Sequence, residues 1–166
     1  LGMGLRGVNA LNLEGENLEG VENAVDYIEK LRQVKDKSQL LVGRNVVVIG
    51  GGNTAIDMAV QIKKLGAENV TLIYRRGQDH MSATHHEQEY AQTNDVRIKL
   101  WAQPKRLLSA NGRVTAIECE YTLLDNNGKL AGTGDTFTLA ADQVFKAIGQ
   151  VFMPSPLQEN GKDMLQ

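Results

Sequence analysis

The chain has 166 residues, 18 basic and 20 acidic, for a net charge of −2. That length suits one domain, since domains usually run about 100 to 200 residues, and the near-neutral balance gives no electrostatic case for nucleic acid or an anionic membrane as partner. No apolar run approaches the roughly 20 residues that span a bilayer and no signal peptide opens the chain, so the cytoplasm is the expected location, while a single cysteine, Cys119, excludes an internal disulfide and any Cys-x-x-Cys redox or zinc pair.

Residues 1–18 hold two glycine pairs and little periodicity, and read as a chain entered midway. From Val21, the residues Val21, Ala24, Val25, Ile28 and Leu31 fall on one helical stripe, which predicts an amphipathic helix over 21–35. A polar link, 35–39, follows.

The run Val46-Val47-Val48-Ile49 then stops at Gly50-Gly51-Gly52, and a helical pattern begins. An unbroken, largely β-branched apolar run suits a strand buried on both faces, as in a parallel sheet. Gly50-x-Gly52-x-x-Ala55 fits the dinucleotide-binding fingerprint with alanine in its last place. Gly50 would permit a sharp turn, Gly52 would let backbone approach a pyrophosphate, and Ala55 would keep helix and strand close. The positive end and free N–H groups of a helix beginning near Asn53 would face the phosphates. That helix is expected over 53–65, closed by Gly66, and a second strand over 70–74 completes a βαβ unit within about thirty residues.

Arg75-Arg76-Gly77 follows the second strand. A fingerprint specific for NAD places a carboxylate there to hold the ribose 2′-hydroxyl; two guanidinium groups would instead meet a 2′-phosphate, which favours NADPH over NADH. A polar helix over 82–92 carries His85 and His86 near His80, but His86-Glu87-Gln88-Glu89-Tyr90 has tyrosine where a zinc helix needs its second histidine. A strand is expected over 96–101. Beyond it, Asn111-Gly112 and Asn127-Gly128 mark reversals, Ile117, Cys119, Tyr121 and Leu123 alternate with polar residues, and 136–139 adds a strand, so an antiparallel β-meander is inserted before a last core strand over 144–148. Cys119 sits on the apolar side of that alternation as a small hydrophobe. The fold class is α/β, a Rossmann-like parallel sheet with helices on both faces and an inserted antiparallel β-meander.

Residues 47–57, Tyr74-Arg75-Arg76, Met81-Ser82-Ala83 and Ala147-Ile148-Gly149-Gln150 together make the chain resemble the NAD(P)H-binding domain of the glutamate synthase small subunit and dihydropyrimidine dehydrogenase family of FAD-dependent pyridine nucleotide oxidoreductases. The spacing of Pro104-Lys105-Arg106 resembles dihydropyrimidine dehydrogenase as well, whereas Met81-Ser82 stands where the family often has Met-Pro. The resemblance implies a flavoprotein in which hydride passes from NAD(P)H to FAD, with iron–sulfur clusters and a partner subunit carrying the substrate site taking the electrons onward. It implies cofactor contacts at Gly50, Gly51, Gly52, Asn53, Thr54, Asp57, Arg75, Arg76, Ala147, Ile148 and Gly149. No side chain is expected to act as a catalytic group, because the chemistry belongs to the cofactors.

The resemblance further implies that 1–40 is a junction with the FAD domain and a linking helix, 41–150 the NAD(P)H-binding domain, and 151–166 the return to the FAD domain, with FAD bound outside this chain. An isolated chain is then expected to bind nucleotide and reduce nothing. A non-catalytic NAD(P)-sensing module is the alternative, and a purely structural α/β domain a third reading. Thioredoxin reductase chemistry is excluded by the single cysteine.

Overall fold

In the computed structural model, which describes residues 5–8, 13–148 and 150–152, the apolar run at the glycine turn forms the middle strand of a five-stranded parallel sheet. In chain order the elements are β1 (Leu5–Val8), β2 (Val21–Asn23), α1 (Ala24–Gln33), β3 (Asn45–Ile49), α2 (Asn53–Lys64), β4 (Asn69–Ile73), α3 (His85–Thr93), β5 (Val96–Lys99), β6 (Ala102–Ala110), β7 (Arg113–Leu124), β8 (Leu130–Ala140), β9 (Gln143–Lys146) and β10 (Gln150–Phe152). The parallel sheet has the order β2-β9-β3-β4-β5, β6-β7-β8 form an antiparallel sheet, and β1 pairs with β10.

Successive side chains of a strand point to opposite faces, and here the two faces meet different partners. Val46, Val48, Val70, Leu72 and Phe145 pack with Ala24, Tyr27 and Ile28 of α1, the apolar residues of α2, and Ala91 of α3. Val47, Ile49, Ile73 and Val144 pack instead against Leu107, Val114, Ile117 and Cys119 of the meander. The fold class read from the sequence is the one observed. Its helices, however, gather on one face rather than both: the second face is closed by the meander, whose alternating apolar residues supply the cover a helix would otherwise give.

The expected helix at 21–35 begins later, because Val21–Asn23 is a strand paired in parallel with β9, Val21 opposite Val144. Gly20, at φ +99°, turns the chain onto that sheet edge, and the pairing overrides the helical stripe of its first residues. Within the stretch 1–40, β2 joins the parallel sheet and α1 packs into its core. Tyr27, 1% exposed, packs edge-on against Phe145 at 4.9 Å and donates its hydroxyl to the Leu41 carbonyl at 2.7 Å. The polar helix expected at 82–92 begins at His85, with Thr84 as its N-cap accepting from the Glu87 N–H at 3.1 Å. The Asn111-Gly112 reversal is observed, both residues in the left-handed region at φ 53° and 80°. Among the described residues no helix is long and apolar enough to cross a membrane.

Candidate functional site

Because β9, β3 and β4 run parallel, their carboxyl ends lie at one edge of the sheet, and the chain leaves β3 toward β4 on one side while returning through β9 on the other. Such a switch of direction opens a crevice at the carboxyl ends, where ligands of open α/β sheets bind. Gly50 ends β3, Arg75 and Arg76 follow β4, and Ala147 follows β9, so the topology gathers three stretches far apart in sequence.

The three glycines are not equivalent. Gly50 has φ +147°, donates its N–H to the Ile73 carbonyl at 3.1 Å, and lies against the Ala147 carbonyl so closely that a Cβ would overlap it. Ala147 in turn donates its N–H to the Ile49 carbonyl at 2.8 Å. Gly51 is buried beneath the Tyr74 ring, which a Cβ would meet at 2.5 Å, and its carbonyl accepts from the Ala83 N–H at 3.1 Å. Gly52 is the N-cap of α2 and brings no side chain to that cap. A Cβ there would meet Ser82 Oγ alone, at 3.0 Å, so apart from that hydroxyl the place a side chain would take is open. Ala55, fully buried, lets α2 lie close to the sheet. Strand, turn and helix thus place the amino-terminal end of α2, with its positive dipole end, at the carboxyl edge of the sheet.

Asn53 and Thr54 are exposed in the first turn of α2. With Ile56, Asp57, Val60 and Gln61 on α2, and Glu87 and Tyr90 on α3, they line an open cavity of about 450 Å³. Asp57 is exposed there, with Gln61 Nε2 3.5 Å from its Oδ1. Glu87 and Tyr90 carry no motif of their own, and only the packing of α3 beside α2 brings them to this cavity.

Beyond β4, Arg75 is exposed and Arg76 half-buried, and among the described residues neither is in an ion pair. Tyr74 separates them from the glycine turn and donates its hydroxyl to the His80 carbonyl at 2.8 Å. Burial raises the Tyr74 pKa, opposed by the nearby charges of Arg75 and Arg76. Ile148 lies half-buried at the end of the return strand, and Gly149 lies outside the described residues. Of the expected contacts, Gly50, Gly51, Gly52, Asn53, Thr54, Asp57, Arg75, Arg76, Ala147 and Ile148 all fall at the carboxyl edge or the adjoining face of α2. Ser82 joins them beside Gly52, a place marked in the sequence only by Met81-Ser82-Ala83.

Cys119 takes no part. It is fully buried in the meander layer, and burial, reinforced by the Glu118 charge and opposed by Lys99, pushes its thiol up to about 12. His80, His85 and His86 are exposed, with His85 Nε2 3.5 Å from Asp79 Oδ1.

The family model described as pyridine nucleotide-disulphide oxidoreductase matches residues 3–164. The NADPH-Fe(3+) oxidoreductase subunit beta of Geobacter sulfurreducens is 39% identical over 116 residues, covering 66% of this chain and 17% of that protein. The glutamate synthase [NADPH] small chain of Halomonas elongata is 34% identical over 169 residues, covering 94% of this chain and 35% of that one. The structure of Mycobacterium tuberculosis FprA in complex with NADPH superposes with a TM-score of 0.69 at 20% identity, over 93% of this chain and 50% of that chain, a likeness of fold. The chain thus spans about a third or less of the length of these curated relatives.

Proposed function

From the membership of this chain in the pyridine nucleotide-disulphide oxidoreductase family, we propose that it is the NAD(P)H-binding domain of a flavoprotein oxidoreductase that passes hydride from NAD(P)H to FAD. Electrons then go onward to iron–sulfur clusters or a partner subunit, and FAD is held by sequence outside this chain. The observation that carries the reading is the open, side-chain-free terminus of α2 at Gly52 with two guanidinium groups at the end of the neighbouring strand.

The bound nicotinamide nucleotide supplies the redox chemistry, and the protein supplies position. Gly51, Gly52, Asn53 and Thr54 hold the pyrophosphate through backbone N–H groups. Arg75 and Arg76 take the 2′-phosphate through paired, charge-assisted hydrogen bonds. Asp57, at the wall of the cavity, accepts from hydroxyl or amide groups of the nicotinamide half. Ala147 and Ile148 close the crevice from the side of β9.

The expected preference for NADPH follows from charge. Charge-assisted bonds contribute roughly 1.5 to 3 kcal/mol each when well formed; screening at an exposed site reduces this, so the preference should be about one to two decades, at about 1.4 kcal/mol per decade. Titration of the full chain with NADPH and NADH checks it. The double variant Arg75→Ala, Arg76→Ala should lose the preference and keep its NADH affinity. Equal affinities for the two nucleotides in the wild type would falsify the NADPH assignment, and no binding of either would remove the nucleotide reading itself.

A further inference from the structure

The loop that carries Arg75 and Arg76 is held from outside the parallel sheet at three successive carbonyls. The Tyr74 carbonyl accepts from the Ala102 N–H at 3.0 Å, the Arg75 carbonyl from the Thr122 hydroxyl at 2.6 Å, and the Arg76 carbonyl from the Trp101 N–H at 3.2 Å. All three donors belong to the meander or its entry: Trp101 joins β5 to β6, Ala102 opens β6, and Thr122 lies near the end of β7.

Two of the donors, Thr122 and Trp101, reach the loop through irregularities that strand pairing does not require. The pairing of β7 with β8 shifts between Glu120 and Thr122, and a bulge of this kind re-aims the side chains beyond it. Before the shift, Ile117 and Cys119 face the parallel sheet. After it the phase inverts, leaving Thr122 5% exposed and Leu123 45% exposed. Thr122 also donates its backbone N–H to the Trp101 carbonyl at 2.9 Å. Trp101 itself has φ 58°, a left-handed conformation uncommon for any residue with a side chain and an outlier for a bulky one. Its indole lies on Gly77, the residue after the arginines, where a Cβ would come within 2.9 Å of the ring. A re-aimed hydroxyl, a strained backbone and a ring seated on a glycine thus converge on one four-residue loop.

We propose that the meander acts as a clamp that fixes the two-arginine loop for recognition of the 2′-phosphate, with Thr122 as the positioning residue. This rests on the nucleotide reading given above. Thr122 touches no nucleotide in this account; its hydroxyl holds the Arg75 backbone, from which the guanidinium projects. Thr122→Val keeps the shape and removes the donor, whereas Thr122→Ser keeps the donor. Gly77→Ala reaches the same loop independently by forcing the Trp101 ring off its seat.

Isothermal titration of the full chain with NADPH and with NADH separates the outcomes. Thr122→Val is expected to weaken NADPH binding about fivefold to tenfold, the effect of losing one hydrogen bond, and Gly77→Ala to weaken it in the same direction by shifting the loop, both with NADH affinity unchanged, while Thr122→Ser keeps the wild-type ratio. A wild-type ratio in a folded Thr122→Val, or in Gly77→Ala should the first not fold, overturns the clamp and leaves the nucleotide site standing. Equal weakening toward both nucleotides marks a merely structural role and also overturns it. A wild type without preference for NADPH removes the recognition that the clamp was proposed to serve.

Discussion

The glycines of the turn separate folding from binding one residue at a time. Gly50 combines φ +147° with contact against the Ala147 carbonyl, and Gly51 lies under the Tyr74 ring, so a side chain at either acts on stability. Gly52 differs: its φ of −103° suits any residue, and its missing Cβ faces open space apart from Ser82 Oγ. Gly50→Ala should therefore destabilise the fold by about 1 to 3 kcal/mol, read from a urea midpoint. Gly52→Val should leave a folded protein by circular dichroism, at a modest loss for a poor N-cap residue, and reduce nucleotide affinity at least about tenfold because its methyl groups occupy the phosphate gap. Unchanged affinity in a folded Gly52→Val would mean that this turn only joins strand to helix.

At the scale of elements, α3 supplies one wall of the cavity and depends on a local cap. Thr84 accepts from the Glu87 N–H at 3.1 Å, and buried Gln88 donates to the Ala83 carbonyl at 3.0 Å, tying the helix start to the segment beside Gly51. Thr84→Ala should cost about 1 kcal/mol, measurable as a lower thermal midpoint; an unchanged midpoint would show that the Gln88 bond alone fixes this terminus. The unit from β3 to β4 could be read from sequence because every signal in it is local: a buried apolar run, helical spacing, glycines at the turn, and Gly66, at φ +122°, past the end of α2. Elements defined by distant partners could not. Val21–Asn23 is a strand only because Val144 lies opposite it. The strand β6 contains Pro104, tolerated because β6 is an edge strand with irregular pairing between Pro104 and Arg106. In the same way the arginines after β4 were visible as a pattern, while Thr122, turned toward them by a shift in pairing, carries no mark of that role in the sequence.

The parallel sheet separates two apolar layers, and each layer holds a weak acid whose pKa burial raises to about 12. Tyr27, in the helical layer, is raised from 10.0 to about 12 by burial and then by the Glu22 charge. Cys119, in the meander layer, is raised from 9.0 to about 12, chiefly by burial. Both must be neutral in the folded state, and Tyr27 must also keep its proton to donate to the Leu41 carbonyl at 2.7 Å. A raised pKa of this kind gives stability that is fully present below the unfolded value and lost as pH climbs toward the folded one, because the unfolded chain has released a proton that the native state retains. Stability should hold through neutral pH and decline above about pH 9, first through Cys119 and then through Tyr27, by about 1.4 kcal/mol per pH unit for each group within its window. Tyr27→Phe isolates one contribution, since the ring packing against Phe145 survives and only the hydroxyl is lost. At pH 7 this variant should be less stable than wild type by about 1 kcal/mol, the loss of one hydrogen bond. Groups common to both proteins cancel in the difference, so by pH 11 the gap should close by roughly 1.4 kcal/mol and leave the variant at least as stable as the wild type. Urea denaturation of both proteins at pH 7, 9 and 11 measures it, and a gap that stays constant to pH 11 would show that the native state does not hold the Tyr27 proton against release.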